Sequence, residues 1–561
     1  MSHALADAIG ARLAAWEREQ VAERLWAKDG SLWAASGKAA DELAGWLGWL
    51  DLPSEMGERV DELEHLARDV RADGYRRAAV LGMGGSSLAP DLFAHLFAEP
   101  GGAPAGDGLE LRILDSTHPD VVRGFRSWAT SARTLFCVSS KSGSTTEPNA
   151  FHAAMAAEAP ALDFVAITDP GSSLAQLARA QEFRAIVDGR ADVGGRYSAL
   201  SVFGLVPAAL AGVNLRRLLG RASEMAEACR RPGADNPGLA LGASIGEAAR
   251  SGADKLTILT SDRMAPLADW IEQLVAESTG KAGSGIIPIV REPIGTAAAY
   301  GQDRYVVVVS LAGEDDAPWR ELADDLARRG ISGQHLELRD AYDIGAEFVR
   351  WEVATAAAGI VLEIDPFDQP NVQESKDATT ELLETFRAKG SLPSPAPLVA
   401  EEGLAAYADP GPLGDTPVTV DGAVRQLLSL AGSADYLAIL AYLPQEPALE
   451  ARLHALRGRI RDGLGVATTL GFGPRFLHST GQLHKGGPDS GLFLQLTADP
   501  SRDLPIPGWD ETFGTLIAAQ ALGDLTSLQR RGRRALRLHG ESAADLVARL
   551  ETIIDDALGG R

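Results

Sequence analysis

The sequence predicts an α/β protein with two doubly wound parallel-sheet units, and three observations support this prediction. Short apolar segments alternate with helix-forming segments from Arg76 onward, and each apolar segment ends in Gly, Ser, Asp or Pro, as strands of parallel sheets do. The alternation restarts near Lys255. Two strand ends are followed by loops rich in glycine and hydroxyl side chains. Such loops in one parallel sheet indicate a small phosphorylated ligand.

The predicted elements divide the chain into five regions. Residues 1–72 are predicted to be helical, and the two α/β units occupy residues 73–230 and 231–389. A proline-rich segment over residues 390–417, predicted to be a linker or an ordered surface loop, precedes an additional α/β region over residues 418–561. The predicted strands are residues 77–81, 111–114, 134–138, 164–168, 256–260, 285–290, 305–311, 335–338, 436–442, 467–470, 492–496 and 535–538, and long helices are predicted over residues 264–278 and 344–360.

Composition narrows the classes of function. The formal net charge of −24 argues against nucleic acid and against an anionic membrane surface, because both attract basic patches. The longest apolar stretch, residues 200–215, is interrupted by glycine and proline and is too short to span a membrane. Two cysteines, Cys137 and Cys229, are too few for a disulfide framework, and the N-terminus has no apolar signal core. We therefore expect a cytoplasmic protein.

Two loops predict a phosphate site. Residues 137–147 read Cys-Val-Ser-Ser-Lys-Ser-Gly-Ser-Thr-Thr-Glu and connect a predicted strand to a predicted helix, and residues 81–88 read Leu-Gly-Met-Gly-Gly-Ser-Ser-Leu after another strand. Exposed backbone N–H groups, hydroxyl donors and the positive end of a helix dipole meet at such junctions and bind phosphate. No Walker lysine follows a GxxxxG segment, so a nucleotide loop is not predicted. The predicted phosphate ligands are Gly85, Ser86, Ser140, Lys141, Ser142 and Thr145.

Two further segments offer a cation and a base. Arg196 follows two glycines, which let the backbone approach a ligand closely, although a turn with a solvated arginine fits the same pattern. Glu277 ends an amphipathic helix just before a glycine-rich turn. A carboxylate at the negative end of a helix dipole takes up a proton readily and suits a general base, but an exposed glutamate at a capping turn fits equally well.

The last two segments offer a lysine and two histidines. Lys376 lies on the second turn of a predicted helix, where a surface lysine is the simpler interpretation. His478 and His484 lie in a segment rich in Gly, Ser and Thr. Their i, i+6 spacing and the lack of cysteine or carboxylate partners argue against a zinc site. A histidine in such a loop is better placed for proton transfer.

Taken together, these segments resemble the glucose-6-phosphate isomerase family. The segment from His478 to Gln482 (His-Ser-Thr-Gly-Gln) is similar to that family's histidine segment, and the whole resemblance spans residues 77–488. It extends to the isomerase part of fused transaldolase/glucose-6-phosphate isomerase proteins. The other matching segments, in family order, are residues 81–88, 139–147 (Ser-Ser-Lys-Ser-Gly-Ser-Thr-Thr-Glu), 195–198 (Gly-Arg-Tyr-Ser), 277–281 (Glu-Ser-Thr-Gly-Lys) and 368–376 (Asp-Gln-Pro-Asn-Val-Gln-Glu-Ser-Lys).

The resemblance implies a fold and a chemistry. The fold would be two sugar-isomerase (SIS) α/β sandwich domains with N-terminal helices and an additional C-terminal α/β region. The reaction would interconvert glucose 6-phosphate and fructose 6-phosphate through a cis-enediol, without a metal or an organic cofactor. A carbon acid beside a carbonyl needs a positioned carboxylate base, a cation for the enediolate and an anchor for the phosphate, which agrees with the residue types found here.

The resemblance also implies catalytic roles. Glu277 would be the base that moves the proton between C1 and C2, Arg196 would stabilise the enediolate, and His478, assisted by Lys376, would open the sugar ring. In most of the family the histidine segment precedes the lysine segment, whereas here His478 follows Lys376. We therefore expect the C-terminal region to bring His478 to the site, either within one chain or across the interface of a homodimer.

Two alternatives stay open at this point. A non-catalytic SIS-type sugar-phosphate sensor would need the phosphate loops but not Glu277, Arg196 or Lys376. A dual phosphoglucose/phosphomannose isomerase would use the same residues and differ only in how C2 is presented to the base.

Overall fold

The computed structural model describes residues 3–99, 106–401, 403–409 and 417–559. Its strands are β1 (Arg77–Leu81), β2 (Glu110–Leu114), β3 (Thr134–Ser139), β4 (Phe164–Thr168), β5 (Ala185–Asp188), β6 (Lys255–Thr260), β7 (Ile287–Ile289), β8 (Arg304–Leu311), β9 (Ser332–Leu338), β10 (Val399–Glu401), β11 (Leu404–Tyr407), β12 (Tyr436–Tyr442), β13 (Ala467–Phe472), β14 (Gly491–Ala498) and β15 (Arg534–Gly540).

The α-helices surround these strands. They are α1 (His3–Arg18), α2 (Val21–Trp26), α3 (Ala40–Ala44), α4 (Leu52–Glu58), α5 (Val60–Ala72), α6 (Leu88–Leu96), α7 (Pro119–Thr130), α8 (Thr146–Ala156), α9 (Ser173–Ala180), α10 (Val202–Leu210), α11 (Leu215–Ala228), α12 (Pro237–Arg250), α13 (Ala265–Thr279), α14 (Ala317–Arg328), α15 (Ile344–Leu362), α16 (Pro370–Lys389), α17 (Val420–Ser429), α18 (Pro447–Leu464), α19 (Gly481–Gly486), α20 (Phe513–Arg530) and α21 (Ala543–Leu558). Within the described ranges, no helix is both long enough and apolar enough to cross a bilayer.

The strands form three sheets. The first has the order β2-β1-β3-β4-β5 and the second has the order β7-β6-β8-β9, and every pairing in both is parallel. The third has the order β10-β11-β15-β14-β12-β13, in which β10 and β11 are antiparallel additions to a parallel set. Two parallel α/β units with N-terminal helices and an additional C-terminal α/β region were predicted, and this fold class is confirmed.

All twelve predicted strands are present, with ends that differ by a few residues. Their central members are buried along nearly their whole length, because helices cover both faces of a parallel sheet, and this burial produces the continuous apolar runs that the prediction used. Cys137 lies in β3 as a fully buried core residue, and burial raises the pKa of its thiol to about 12. The strand β5 was missed because this edge strand is short and half-buried.

The range 390–417 is not simply a linker. Its strands β10 and β11 form the edge of the third sheet, where β11 pairs antiparallel with β15. Proline excludes central strands and helix interiors but tolerates sheet edges, so a proline-rich composition did not rule out this pairing. Residue 402 and residues 410–416 of this segment lie outside the described residues.

Ion pairs and a buried hydrogen bond attach the C-terminal region to the two preceding units. Arg475 lies between Asp91 (3.0 Å) of α6 and Asp115 (3.2 Å), which follows β2. Glu292 of the second unit pairs with Arg304 (3.0 Å) and accepts from the backbone N–H of Thr468 in β13 (2.9 Å). Burial raises the pKa of Glu292, but the surrounding guanidinium groups outweigh burial and lower it. The residues near position 475, including His478, are thereby held against the first unit.

Candidate active site

The loops after β1 and β3 form one wall of a cavity of about 330 Å³. These two strands are neighbours in the first sheet and run parallel, so their carboxyl ends bring the turn Gly84–Ser86 beside the loop over residues 140–145. Ligands of open α/β sheets bind at this edge. The phosphate loops predicted from sequence therefore share one site.

Two glycines of the first loop permit close approach of other segments. A Cβ atom on Gly85 would lie 1.9 Å from the carbonyl oxygen of Gly195, so the turn that carries Arg196 could not pack there. Gly84 has a φ of 54°, and a Cβ atom on it would lie 2.8 Å from Nε2 of Gln273 and 3.1 Å from Cβ of His478. The glycines thus allow three distant segments to meet.

The second loop offers main-chain donors at the start of α8. Ser140 Oγ donates to Thr145 Oγ1 (3.2 Å) and accepts from the N–H of Gly143 (3.2 Å), which fixes the loop. Among the described residues, no acceptor is found for the N–H groups of Lys141 and Ser142. Free N–H groups beside the positive end of a helix dipole form an anion site.

The ammonium group of Lys141 points away from this loop. Its Nζ pairs with Asp169 and donates to the carbonyl oxygens of Arg190 (3.1 Å) and Ala191 (3.2 Å). The contribution of Lys141 to the cavity wall is therefore its backbone.

A carboxylate and a guanidinium group that line the same cavity lie next to each other. Glu277 lies in the last turn of α13, and its Oε1 is 3.4 Å from Nη1 of Arg196. The remaining donors of Arg196 bind Ser278 Oγ (2.7 Å), Gln369 Oε1 (2.8 Å) and the carbonyl oxygens of Pro366 (2.7 Å) and Asp368 (2.9 Å). This buried, fully engaged guanidinium is held rigidly beside Glu277.

The segment that carries His478 enters the cavity from the C-terminal region of the same chain. The 3₁₀ turn Arg475–His478 ends there, and Gln273 Nε2 donates both to Glu277 Oε2 (3.1 Å) and to the carbonyl oxygen of His478 (2.7 Å). One amide nitrogen therefore links the carboxylate of Glu277 with the backbone of His478. No second subunit is needed to bring the histidine to this cavity.

The imidazole of His478 has a carboxylate partner. His478 Nε2 lies 3.2 Å from Oε1 of Glu147, a buried residue in the first turn of α8. Burial raises the pKa of Glu147, but the charge and hydrogen bond of His478, with a smaller contribution from Lys376, outweigh burial and lower it. The carboxylate of Glu147 is thus ionised at neutral pH.

Two lysines occupy contrasting positions. Lys376 lies in α16, is exposed and lines the cavity. Lys281 is buried, and its Nζ donates to the carbonyl oxygen (2.6 Å) and Oδ1 (2.8 Å) of Asp368. Burial lowers the pKa of Lys281 to about 8. Lys281 and Arg196 together hold the turn that leads into α16.

The structure brings every sequence-predicted site residue to this one cavity. The ten residues are Gly85, Ser86, Ser140, Lys141, Ser142, Thr145, Arg196, Glu277, Lys376 and His478. His484 does not line it, since its ring packs against Phe476 and Phe493, and burial lowers the pKa of His484 well below its usual value.

Four neighbours of the site were not assigned from sequence. Gln273 lies one helical turn before Glu277, and Glu147 ends the hydroxyl-rich segment. The positions of both residues in the sequence could therefore have suggested that they lie at the site. Gln369 lies just before α16. Gln520 comes from the buried helix α20, where nothing in the local pattern distinguishes it from a core residue.

Comparisons with known proteins identify several sequence relatives that are glucose-6-phosphate isomerases. No protein-family model matches the chain. Glucose-6-phosphate isomerase of Rubrobacter xylanophilus is 28% identical over 383 residues, which cover 59% of this chain and 88% of that protein. The enzymes of the same name from Synechococcus sp. (strain JA-3-3Ab) and Carboxydothermus hydrogenoformans are 29% and 28% identical, covering 60% of this chain in each case and 74% and 85% of their own lengths.

Solved structures agree on the fold. A hypothetical protein from Thermus thermophilus superposes with a TM-score of 0.56 at 24% identity, covering 68% of this chain and 97% of that one. A glucose-6-phosphate isomerase from Chlamydia trachomatis superposes with a TM-score of 0.52 at 17% identity, covering 68% of this chain and 86% of that one. The solved structures share the fold of this chain, and the sequence relatives that it matches over most of their length are glucose-6-phosphate isomerases.

Proposed function

We propose that this protein interconverts glucose 6-phosphate and fructose 6-phosphate. The observation that supports this most strongly is the pairing of Glu277 with Arg196, 3.4 Å apart, in the cavity that the two predicted phosphate loops also line. A base and a fixed cation at this distance suit proton abstraction beside a carbonyl, because the cation stabilises the negative charge that develops on oxygen.

In the proposed reaction the phosphate is anchored by the hydroxyl groups of Ser86, Ser140, Ser142 and Thr145 and by the free backbone N–H groups near Lys141. His478, with Lys376 beside it, then transfers the protons of ring opening, one to the ring oxygen and one from the C1 hydroxyl. These steps yield the open-chain aldehyde with its phosphate still bound.

Glu277 then takes the proton from C2, and the electron pair of that C–H bond forms the C1–C2 double bond of a cis-enediolate. Arg196 stabilises the oxyanion. Return of the same proton from Glu277 to C1, with proton transfer between the two oxygens, gives the ketose. A single carboxylate on one face of a cis-enediol accounts for both transfers.

The two alternatives make different demands on the site. A sensor would need the phosphate loops but not the base and cation, so the joint position of Glu277, Arg196 and Lys376 at the cavity favours the enzyme. A dual phosphoglucose/phosphomannose isomerase would add epimer formation at C2. We further propose a cytoplasmic location, in agreement with the two buried free cysteines.

One assay separates these possibilities. The pure protein is incubated with fructose 6-phosphate in EDTA, and glucose 6-phosphate and mannose 6-phosphate are resolved. We expect glucose 6-phosphate to form. Binding without turnover would identify a sensor, and formation of both aldoses would identify the dual enzyme.

Removing the side-chain phosphate donors should weaken substrate binding. In Ser140→Ala/Thr145→Ala we expect KM to rise by about tenfold or more while kcat changes less, because phosphate hydrogen bonds are similar in the ground and transition states. Initial-rate kinetics measure both constants. Ser131→Ala is the matched control, since it removes a hydroxyl group near the opposite end of β3. An unchanged KM in the double variant would contradict the assignment.

Removing His478 should affect only cyclic substrate. In His478→Ala we expect turnover of the ring form to fall by at least about tenfold. This loss is no larger than the usual effect of general acid–base catalysis, because sugar rings also open spontaneously. Solvent exchange of the C1/C2 proton in an open-chain analogue should be retained. His65→Gln, an exposed histidine on α5, serves as control. Equal losses on both substrates would rule out a role confined to ring opening.

A further inference from the structure

A buried chain of hydrogen bonds connects helix α20 with the catalytic cavity. Thr117 Oγ1 donates to Gln520 Oε1 (2.7 Å), and Gln520 Nε2 donates to Glu147 Oε1 (2.7 Å). The same carboxylate oxygen lies 3.2 Å from Nε2 of His478. Thr117, Gln520 and Glu147 are 0%, 2% and 5% exposed, so their polar groups must be satisfied by one another rather than by bulk water.

Only one orientation of these hydrogen bonds gives every buried polar group a partner. The carboxylate of Glu147 is ionised and can only accept hydrogen bonds. Gln520 must therefore turn its amide nitrogen toward Glu147 and its oxygen toward Thr117, whose hydroxyl group then has to donate. A flipped amide would place two acceptor oxygens against each other in a buried position, which costs the free energy of an unmade hydrogen bond.

The orientation of these hydrogen bonds determines which nitrogen of the His478 imidazole carries a proton. An acceptor-only carboxylate holds a proton on Nε2 of the cationic His478 ring. It keeps that proton there when the ring gives up its other proton, which leaves the lone pair on Nδ1. Nδ1 is then the nitrogen that can exchange a proton with a substrate. His478 faces Oε1 of Glu147, and the amide of Gln520 donates to the same oxygen. Removing that amide would therefore free the Glu147 carboxylate to move away from His478.

We propose that Gln520 and Thr117 are positioning residues, which hold the carboxylate of Glu147 where it keeps His478 protonated on Nε2. This inference rests on the proposed isomerase function and extends it to the C-terminal region. That region would supply both the ring-opening histidine and the residue that orients its carboxylate partner. Neither Gln520 nor Thr117 needs to touch the substrate.

The test compares two side-chain deletions with a conservative rescue. Gln520→Leu removes the amide, Thr117→Val removes the hydroxyl group at nearly constant size, and Thr117→Ser restores it. The ¹⁵N spectrum of histidine-labelled protein reports the tautomer, with the His478 signal assigned from its loss in His478→Ala. We expect the Nε2–H form in the unmodified protein and in Thr117→Ser, and a mixture with the Nδ1–H form in the two deletions.

Kinetics give a second readout. Turnover of cyclic substrate should fall by about tenfold in Gln520→Leu and Thr117→Val, the lower end of what an orienting partner contributes to a ligand or catalytic histidine. Proton exchange in an open-chain analogue should be unchanged, and the pH profile of kcat for cyclic substrate should shift. Ser527→Ala is the matched control, because Ser527 is buried on the same helix, where its Oγ donates to the carbonyl oxygen of Gly523.

The outcomes separate this inference from the proposed function. An unchanged tautomer in the two deletions would overturn the positioning role even if turnover fell. Absence of sugar-phosphate turnover in the unmodified protein would overturn the isomerase proposal, and the tautomer would still decide the role of Gln520 and Thr117. Should Gln520→Leu fail to fold, the Thr117→Val and Thr117→Ser pair decides it alone.

Discussion

Replacing Glu277 by glutamine is expected to lower turnover by about 10²-fold or more, the scale of lost general-base catalysis. Glutamine keeps the shape of the side chain and its contact with Gln273, but its amide cannot take the proton from C2. The loss should fall on kcat, and on proton exchange with open-chain as well as cyclic substrate, because the step that is lost follows ring opening.

The matched control lies on the same helix. Burial raises the pKa of Glu272 to about 8, so this residue is mainly protonated at pH 7 and glutamine is a close neutral substitute for it. Glu272→Gln should therefore keep near-normal turnover at that pH. Circular dichroism and thermal melting establish folding of both variants. Near-normal turnover in a folded Glu277→Gln protein would exclude Glu277 as the base.

Replacing Arg196 by lysine is expected to lower kcat by about 10²- to 10³-fold, the scale seen when one preorganised group that stabilises an oxyanion is lost. An ammonium group keeps the charge but cannot reproduce the planar fork, which binds Ser278, Gln369 and two carbonyl oxygens while facing Glu277. Weaker positioning of the turn before α16 should add a smaller rise in KM.

Two comparisons isolate the contribution of the guanidinium group of Arg196. Ser278→Ala removes one partner of Arg196 but leaves the guanidinium group, so it should retain most of the activity. Arg217→Lys, at an exposed position away from the cavity, controls for the exchange itself. If Arg196→Lys kept its kcat within about threefold, Arg196 would not be the group that stabilises the enediolate, given the usual cost of such a loss.

The sequence by itself determined the strands and the loops at their ends. Parallel strands are buried on both faces, so β1, β3 and β4 appear as apolar runs, and the glycine and hydroxyl residues that follow them mark the edge where a phosphate binds. The position of Glu277 at the end of α13 is equally local. These features depend on residues close together in the chain, which explains why pattern and spacing predicted them.

Only the tertiary structure decided which distant side chains meet. The contacts of His478 with Glu147, of Gln520 with Glu147 and of Thr117 with Gln520 span 331, 373 and 403 residues. They arise because the third sheet packs with α20 and the His478 turn against the first unit. No local pattern encodes such packing.

The same limit applies to single side chains whose partners lie elsewhere in the fold. Lys141 turns its ammonium group toward Asp169, and His484 is buried between aromatic rings although it lies six residues from His478. The strand β11 joins β15 at a sheet edge from within a proline-rich segment. The sequence determined which residue types were present at the site, and packing between distant segments decided which of their atoms face the cavity, because burial and hydrogen bonding there depend on neighbours remote in the chain.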